Sequence, residues 1–208
     1  MGRTRAALFG LACASVALAT PAAAFTAIDP LTRQPLYSAE ETYRAQAAAI
    51  PRQVVTYTGR HAPGTIVVST SERRLWYVLG NGQAVQYGVG VGRPGFTWSG
   101  THHITNKREW PNWTPPPEML QRRPDLPRHM VGGPDNPLGA RALYLGSTLY
   151  RIHGSNEPWT IGTNVSSGCI RMRNEDVVDL YNRVKVGTKV VVLPAAERRA
   201  AMAYGPDR

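Results

Sequence analysis

The chain has 208 residues, 42% hydrophobic and 18% charged, and 24 basic against 14 acidic side chains give a formal charge of +10 at pH 7. That length supports about one domain that can bury a core without staples, and the chain shows no internal repeat. The positive balance suits an acidic polymer, an anionic lipid or nucleic acid, or serves general solubility; the cations are scattered, which argues against a tail-like basic arm.

The first 24 residues bear on the compartment. Arg3 and Arg5 precede an apolar run over residues 6–19, Pro21 breaks it, and Ala22, Ala23 and Ala24 supply small residues. This is the anatomy of a secretory signal cleaved after Ala24. The alternatives are an uncleaved anchor over residues 6–24 and a lipoprotein acylated at Cys13. The proline and the alanine-rich run argue against the anchor. Gly10 and the short apolar run argue against acylation. Export to the periplasm or cell envelope is expected, which makes nucleic acid an unexpected partner. Removing residues 1–24 lowers the charge by two, through Arg3 and Arg5, and leaves Cys169 as the remaining cysteine. No intramolecular disulfide can then form. Cys169 is either an inert filler or a reactive thiol.

Residues 25–63 carry no strong core pattern and read as a leader lying loosely on the domain. Within it, SAEETYRAQAAAI (38–50) suits a short helix capped by Ser38, with Glu41 at the capping-box position. From Gly64 the texture becomes β, and the domain runs over 64–193. TIVVST and RRLWYVL are β-branched and aromatic, GNG (80–82) is a hairpin signal, QAVQYGVGVG returns as a strand, and HHITNKRE extends the sheet. WPNWTPPPEMLQRRPDLP (110–127) is too proline-rich for more than one helical turn, at 118–122. Trp110 and Trp113 in this segment are core plugs or walls of a cleft. GGPDNPLGARALYLG runs into a strand at 142–145, and TLYRIHG is another. NEDVVDLYNRVK reads as a helix capped by Asn174, with Glu175 and Asp176 in its first turn and Val177, Tyr181 and Val184 on one face. TKVVVL closes the sheet, and AAERRAAMA in the tail (194–208) has helical composition. The expected fold is mainly β with one to three short helices.

Strand alternation sorts the reactive residues. In YRIHG, Arg151 and His153 share one face and Tyr150 and Ile152 the other; in GCIRMR, Cys169, Arg171 and Arg173 alternate with Ile170 and Met172. Gly154 follows the histidine and Gly168 precedes the cysteine, where close backbone approach or positive φ suits a site that admits a substrate chain. A thiol attacks as thiolate and needs a base or a cation nearby. His153 suits the base and Arg171 the cation, and N–H groups around Gly168 and Cys169 suit an oxyanion hole. Ser166 and Ser167 either bond the substrate or shape the loop. Arg171 would otherwise pair with Glu175 or Asp176 at the surface. His102, His103 and His129 make a poor zinc cluster, since the first two point to opposite faces of a strand and no H-E-x-x-H spacing occurs.

RIHGSNEP, SSGCIRM and NEDVVDLYNRVKVGTKVVV, with NWTPPPEM and GGPDNPLGARALYLG upstream, together resemble the L,D-transpeptidase family, whose catalytic unit is the YkuD domain. The resemblance covers residues 64–193 and implies that family's mixed β-sandwich. Many members carry histidine where Ser167 stands. By the resemblance, the substrates are peptidoglycan stem peptides as donor and acceptor. Cys169 would attack the carbonyl of the third stem residue, expel the terminal D-Ala and pass the acyl group to an amine, with His153 as base and Arg171 holding a carboxylate or steadying the loop. Some members attach a lipoprotein lysine, and others hydrolyse as carboxypeptidases. No metal or cofactor is implied. A non-catalytic wall-binding protein is the rival of a different class; it gives no reason for His153 and Cys169 to occur together.

Overall fold

Runs of β-branched and aromatic residues separated by glycine-bearing turns build a mostly β domain. The computed structural model describes residues 50–194, all within the unit Tyr37–Arg208. The expected signal segment, the helix at 38–50 (save Ile50) and the helical tail lie outside the described residues. The first strands are β1 (Gln53–Thr56), β2 (Ile66–Ser69), β3 (Arg74–Gly80), β4 (Gln83–Gly88) and β5 (Val91–Gly92). They are followed by β6 (Gly100–Glu109), helix α1 (Pro117–Arg122), β7 (Arg141–Leu145), β8 (Arg151–His153) and β9 (Asn164–Ser166). The last elements are β10 (Ile170–Arg171), helix α2 (Asn174–Arg183) and β11 (Lys189–Leu193). The leader thus contributes a strand: β1 pairs antiparallel with β4 at the sheet edge.

Nine strands form one sheet in the order β1-β4-β3-β2-β11-β6-β7-β8-β10, and β5 pairs with β9 in a separate two-stranded ribbon. Neighbours are antiparallel except β2/β11, β8/β10 and β5/β9. The GNG signal is a tight hairpin: Gly80 opposes Gln83, and Asn81 and Gly82 both take positive φ, as a two-residue turn matching strand twist requires. The ten-residue β6 changes partner along its length, pairing with β11 through residues 100–103 and with β7 through residues 104–109.

The main core draws on both halves of the sheet. Ile66, Leu75 and Tyr87 meet Leu143, Leu145 and Ile152, with Val177 and Leu180 of α2 in the same cluster. Residues so far apart in strand order share one core because the sheet bends back on itself at β6. Each such side chain contributes about 1.5–3 kcal/mol by leaving water. β2 is buried on both faces, for Val67 turns into a second cluster with Tyr57, Trp76, Val78 and Ala84.

Helix α2 buries Val177 and Leu180, and Val184 just past its end joins the same cluster, with Tyr181 packed half-buried beside them. Its end is held by Lys107, whose ammonium donates to the carbonyls of Tyr181 (2.7 Å) and Val184 (2.6 Å). Its start differs from expectation. Arg173 holds the cap position with no side-chain cap bond, and Asn174 is the first helical residue. The Asn174 Oδ1 instead accepts from the backbone N–H groups of Ala140 (2.9 Å) and Ser155 (3.2 Å). An added Cβ at Gly154 would fall 2.2 Å from that oxygen. Asn174 therefore ties the segment after His153 to the loop before β7.

Candidate active site

β10 lies parallel to β8, with Ile170 beside Ile152 and Arg171 beside His153. Ile152, Ile170 and Met172 enter the core, so His153 and Arg171 share the opposite face. The free edge of β10 is closed by Gly90, which exchanges two backbone bonds with Arg171 (2.9 and 2.8 Å). Cys169 stands one residue before β10. It is diagonal to His153 on that face, a separation of roughly 7–8 Å between backbones that an imidazole can span. The thiol is half-buried and donates to the carbonyl of Leu149 at 3.8 Å.

The turn over residues 166–169 joins the two-stranded ribbon to the large sheet. Ser166 is buried and braces this turn from inside: its hydroxyl donates to the Cys169 carbonyl (2.5 Å) and accepts from the Gly168 N–H (3.1 Å). Ser166 therefore shapes the loop. Gly168 takes φ +107°, and a Cβ there would lie 2.5 Å from the Tyr150 ring. Its carbonyl accepts from the Trp98 indole N–H at 2.7 Å. Trp98 in turn stacks on Tyr150, centroids 4.5 Å apart and planes 6° from parallel.

A trans peptide points its C=O and N–H in opposite directions. By holding the Gly168 carbonyl, Trp98 turns the Cys169 N–H the other way, and that N–H has no acceptor among the described residues. The oxyanion hole expected from Gly168 and Cys169 is thus revised: the Gly168 N–H is committed to Ser166, and the Cys169 N–H remains available. Ser167 projects from the same turn, with its hydroxyl 3.5 Å from Arg93 Nη2.

His153 is 4% exposed. Its Nδ1 lies 2.6 Å from the carbonyl of Gly154. A carbonyl only accepts, so Nδ1 carries the proton and Nε2 of the neutral ring does not. Gly154 acts through that carbonyl and through the close approach its missing Cβ permits. The imidazole pKa is lowered to about 3, chiefly by burial and further by the charges of Arg171 and Arg151, while the Gly154 and Leu138 carbonyls oppose the shift. At neutral pH the ring is uncharged, so the site holds a neutral imidazole rather than an imidazolium.

Arg171 does not pair with Glu175 or Asp176. Those carboxylates belong to Arg173, at 3.4 and 2.9 Å. Arg171 reaches across to Glu157 at 2.8 Å, both side chains about four-fifths buried. The alternation that put Arg171 and Arg173 on one face ends at β10, and the chain turns into α2. Trp110 is exposed and so is not a core plug, while Trp113 is joined through its backbone to Met130. His102 packs edge-on to Trp98, and His129 bonds Thr114; among the described residues no three His, Cys, Asp or Glu side chains gather as a metal site. Sequence reasoning missed Trp98, Glu157 and Asn174. Only the last carried a signal, and it pointed to a helix cap.

The family model for the L,D-transpeptidase catalytic domain, YkuD, matches residues 63–192. The chain belongs to this family. Among curated L,D-transpeptidase relatives, the probable ErfK/SrfK enzyme of Escherichia coli K12 is 41% identical over 137 residues, covering 62% of this chain and 43% of its own. The probable YbiS enzyme of the same organism is 38% identical over 150 residues, covering 68% and 47%. The chain thus spans less than half the length of these two relatives. The putative L,D-transpeptidase YkuD of Bacillus subtilis is 35% identical over 148 residues, covering 71% of this chain and 74% of its own. Among solved structures, the Enterococcus faecium L,D-transpeptidase catalytic domain superposes with a TM-score of 0.51 at 21% identity, over 65% of this chain and all of that one. An L,D-transpeptidase from Mycobacterium smegmatis gives 0.50 at 19% identity, over 62% of this chain and 58% of that one. At such identities the likeness establishes the fold, that of an L,D-transpeptidase catalytic domain.

Proposed function

We propose that the protein is an exported peptidoglycan L,D-transpeptidase in which Cys169 is the nucleophile and His153 the general base. One observation carries the assignment: a free thiol, an acceptor-less N–H on the same residue and a neutral imidazole with a fixed tautomer share one sheet face. The arginine-flanked apolar run at the N-terminus supports export.

The resting thiol faces Leu149, so the cycle begins with rotation of Sγ toward His153; such contacts commonly tighten only once substrate is bound. Nε2 takes the thiol proton as sulfur attacks the carbonyl of the third stem residue. The tetrahedral oxyanion receives the Cys169 N–H, whose direction Trp98 has set beforehand. Collapse breaks the bond to D-Ala, whose nitrogen leaves with the proton from His153. A second stem's amine then attacks the thioester, gives a proton to the imidazole, and releases the cross-linked product and the thiol. Burial of His153 favours a neutral thiol–imidazole pair at rest and delays charge separation until the acyl donor arrives.

The test is mass spectrometry of products from tetrapeptide-bearing muropeptides, with wild type and Cys169→Ala. Cross-linked dimers with loss of D-Ala are expected from wild type alone. Tripeptide without dimers would make the enzyme a carboxypeptidase. Release of D-Ala by Cys169→Ala would overturn the nucleophile assignment.

A further inference from the structure

Beside the nucleophile turn lies a cationic cluster that the catalytic steps above do not use. The segment Arg93-Pro94-Gly95-Phe96 is a tight turn: Phe96 N–H donates to the Arg93 carbonyl (2.9 Å), and Gly95 takes φ +85°. Proline followed by a positive-φ glycine is the signature of a type II turn. This turn is fixed to the site, because the Arg93 N–H donates to the Ser166 carbonyl at 3.0 Å. It projects the Phe96 ring toward α1, where Arg122 is the last helical residue. The guanidinium carbons of Arg93 and Arg122 each lie 5.3 Å from the ring centroid. One phenyl ring therefore gathers two cations from separate segments.

Several arginines of the domain are already paired. Arg171, Arg173, Arg123, Arg141 and Arg183 each hold a carboxylate within 3.0 Å. Arg93 and Arg122 have no carboxylate partner among the described residues. Arg93 is half-buried; among the described residues its buried Nε has no acceptor, and its one side-chain hydrogen bond is the long contact to Ser167. A guanidinium offers five donors in a fork that matches a carboxylate. Two guanidinium groups gathered on one ring present donors that a single anion can take together. Ser167 is two residues from Cys169, so the cluster borders the nucleophile turn.

We propose that Arg93 and Arg122, gathered by Phe96, form a carboxylate-binding station that selects an acidic acyl donor for Cys169. The station rests on the acyl-transfer reading of Cys169 and adds a requirement: the donor carries a free carboxylate a residue or so from the scissile carbonyl. Arg93 reads the carboxylate at the nucleophile turn, and Arg122 brings the end of α1 over it. An amidated donor forfeits the paired bonds.

The experiment compares two tetrapeptide donors, one with free carboxylates and one with its non-terminal carboxylates converted to amides. Wild type, Arg93→Gln and Arg122→Gln are assayed on both. The wild-type ratio of kcat/KM between acidic and amidated donor should fall about 10-fold in each variant, the worth of one lost charge-assisted interaction. An unchanged ratio would overturn the station, whatever the common loss. Binding is read separately from turnover by following the arginine Nε–H resonances while the acidic donor is titrated into Cys169→Ala. The resonances of Arg93 and Arg122 should shift with the acidic donor and not with the amidated one. Absence of that shift refutes the station. Shifts without turnover by wild type would uphold it and count against the transpeptidase reading.

Discussion

Replacing His153 with asparagine should flatten the acid-side stability profile. In the unfolded chain the imidazole titrates near 6.5, and in the fold at about 3. Between those values the unfolded state binds a proton that the native state does not, so stability rises with pH over that window. The contribution of His153 is complete above pH 6.5 and is lost as pH falls toward 3. The slope is about 1.4 kcal/mol per pH unit, which amounts to about 2.5 kcal/mol between pH 6.5 and 4.5. Asparagine does not titrate but keeps an amide donor for the Gly154 carbonyl. Other groups, including the buried Asp176 whose pKa is raised by burial, titrate in both proteins and cancel in the difference. Urea unfolding followed by tryptophan fluorescence at pH 7.5, 6.5, 5.5 and 4.5 provides the comparison. Wild type should lose about 2.5 kcal/mol more than His153→Asn across the last three points. Parallel profiles would mean that the folded site accepts a proton readily, and the neutral resting base would have to be abandoned.

Trp98→Phe keeps an aromatic ring against Tyr150 but deletes the bond to the Gly168 carbonyl. The rate of Cys169 acylation should drop about 10-fold with little change in KM, and stopped-flow acylation that moved KM alone would refute the link to the oxyanion. Asn174→Ala removes the acceptor shared by Ala140 and Ser155 and should lower stability by about 1–3 kcal/mol; Asn174→Asp, which keeps that oxygen, should recover most of the loss in melting temperature. Glu157→Gln breaks a largely buried ion pair and should cost about 1–3 kcal/mol, between the surface and fully buried cases. A melting point unmoved by Glu157→Gln would make the pair incidental.

The parts legible in the sequence were those set by period-two alternation. Ile152 and Ile170 inward with His153 and Arg171 outward followed from strand geometry, and the free thiol from cysteine arithmetic. What stayed hidden depends on contacts distant along the chain. Trp98 meets Gly168 across 70 residues, and nothing local marks a tryptophan in a glycine- and proline-rich loop as the donor that orients a peptide. Asn174 has the composition of a cap and stands at the helix start, yet its oxygen serves two loops instead. Arg171 had acidic neighbours close in sequence, but the turn after β10 gives those to Arg173 and leaves Arg171 to Glu157. Strand β1 was missed because a short, largely exposed edge strand carries little apolar signal.

The position of β11 governs when the catalytic turn can become rigid. It is the last strand in the chain but lies mid-sheet, between β2 and β6. Without it, the β1–β4 half and the half holding β7, β8 and β10 have no ladder joining them within the large sheet. A ribosome supplies the chain from its N-terminus, so every residue of the candidate site has been made before the seam that unites the halves exists. Closing that seam demands pairings between residues more than a hundred positions apart, such as Val190 with Ile66, and such contacts form slowly. The two halves of the large sheet therefore cannot be joined through β11 until residue 193 is available.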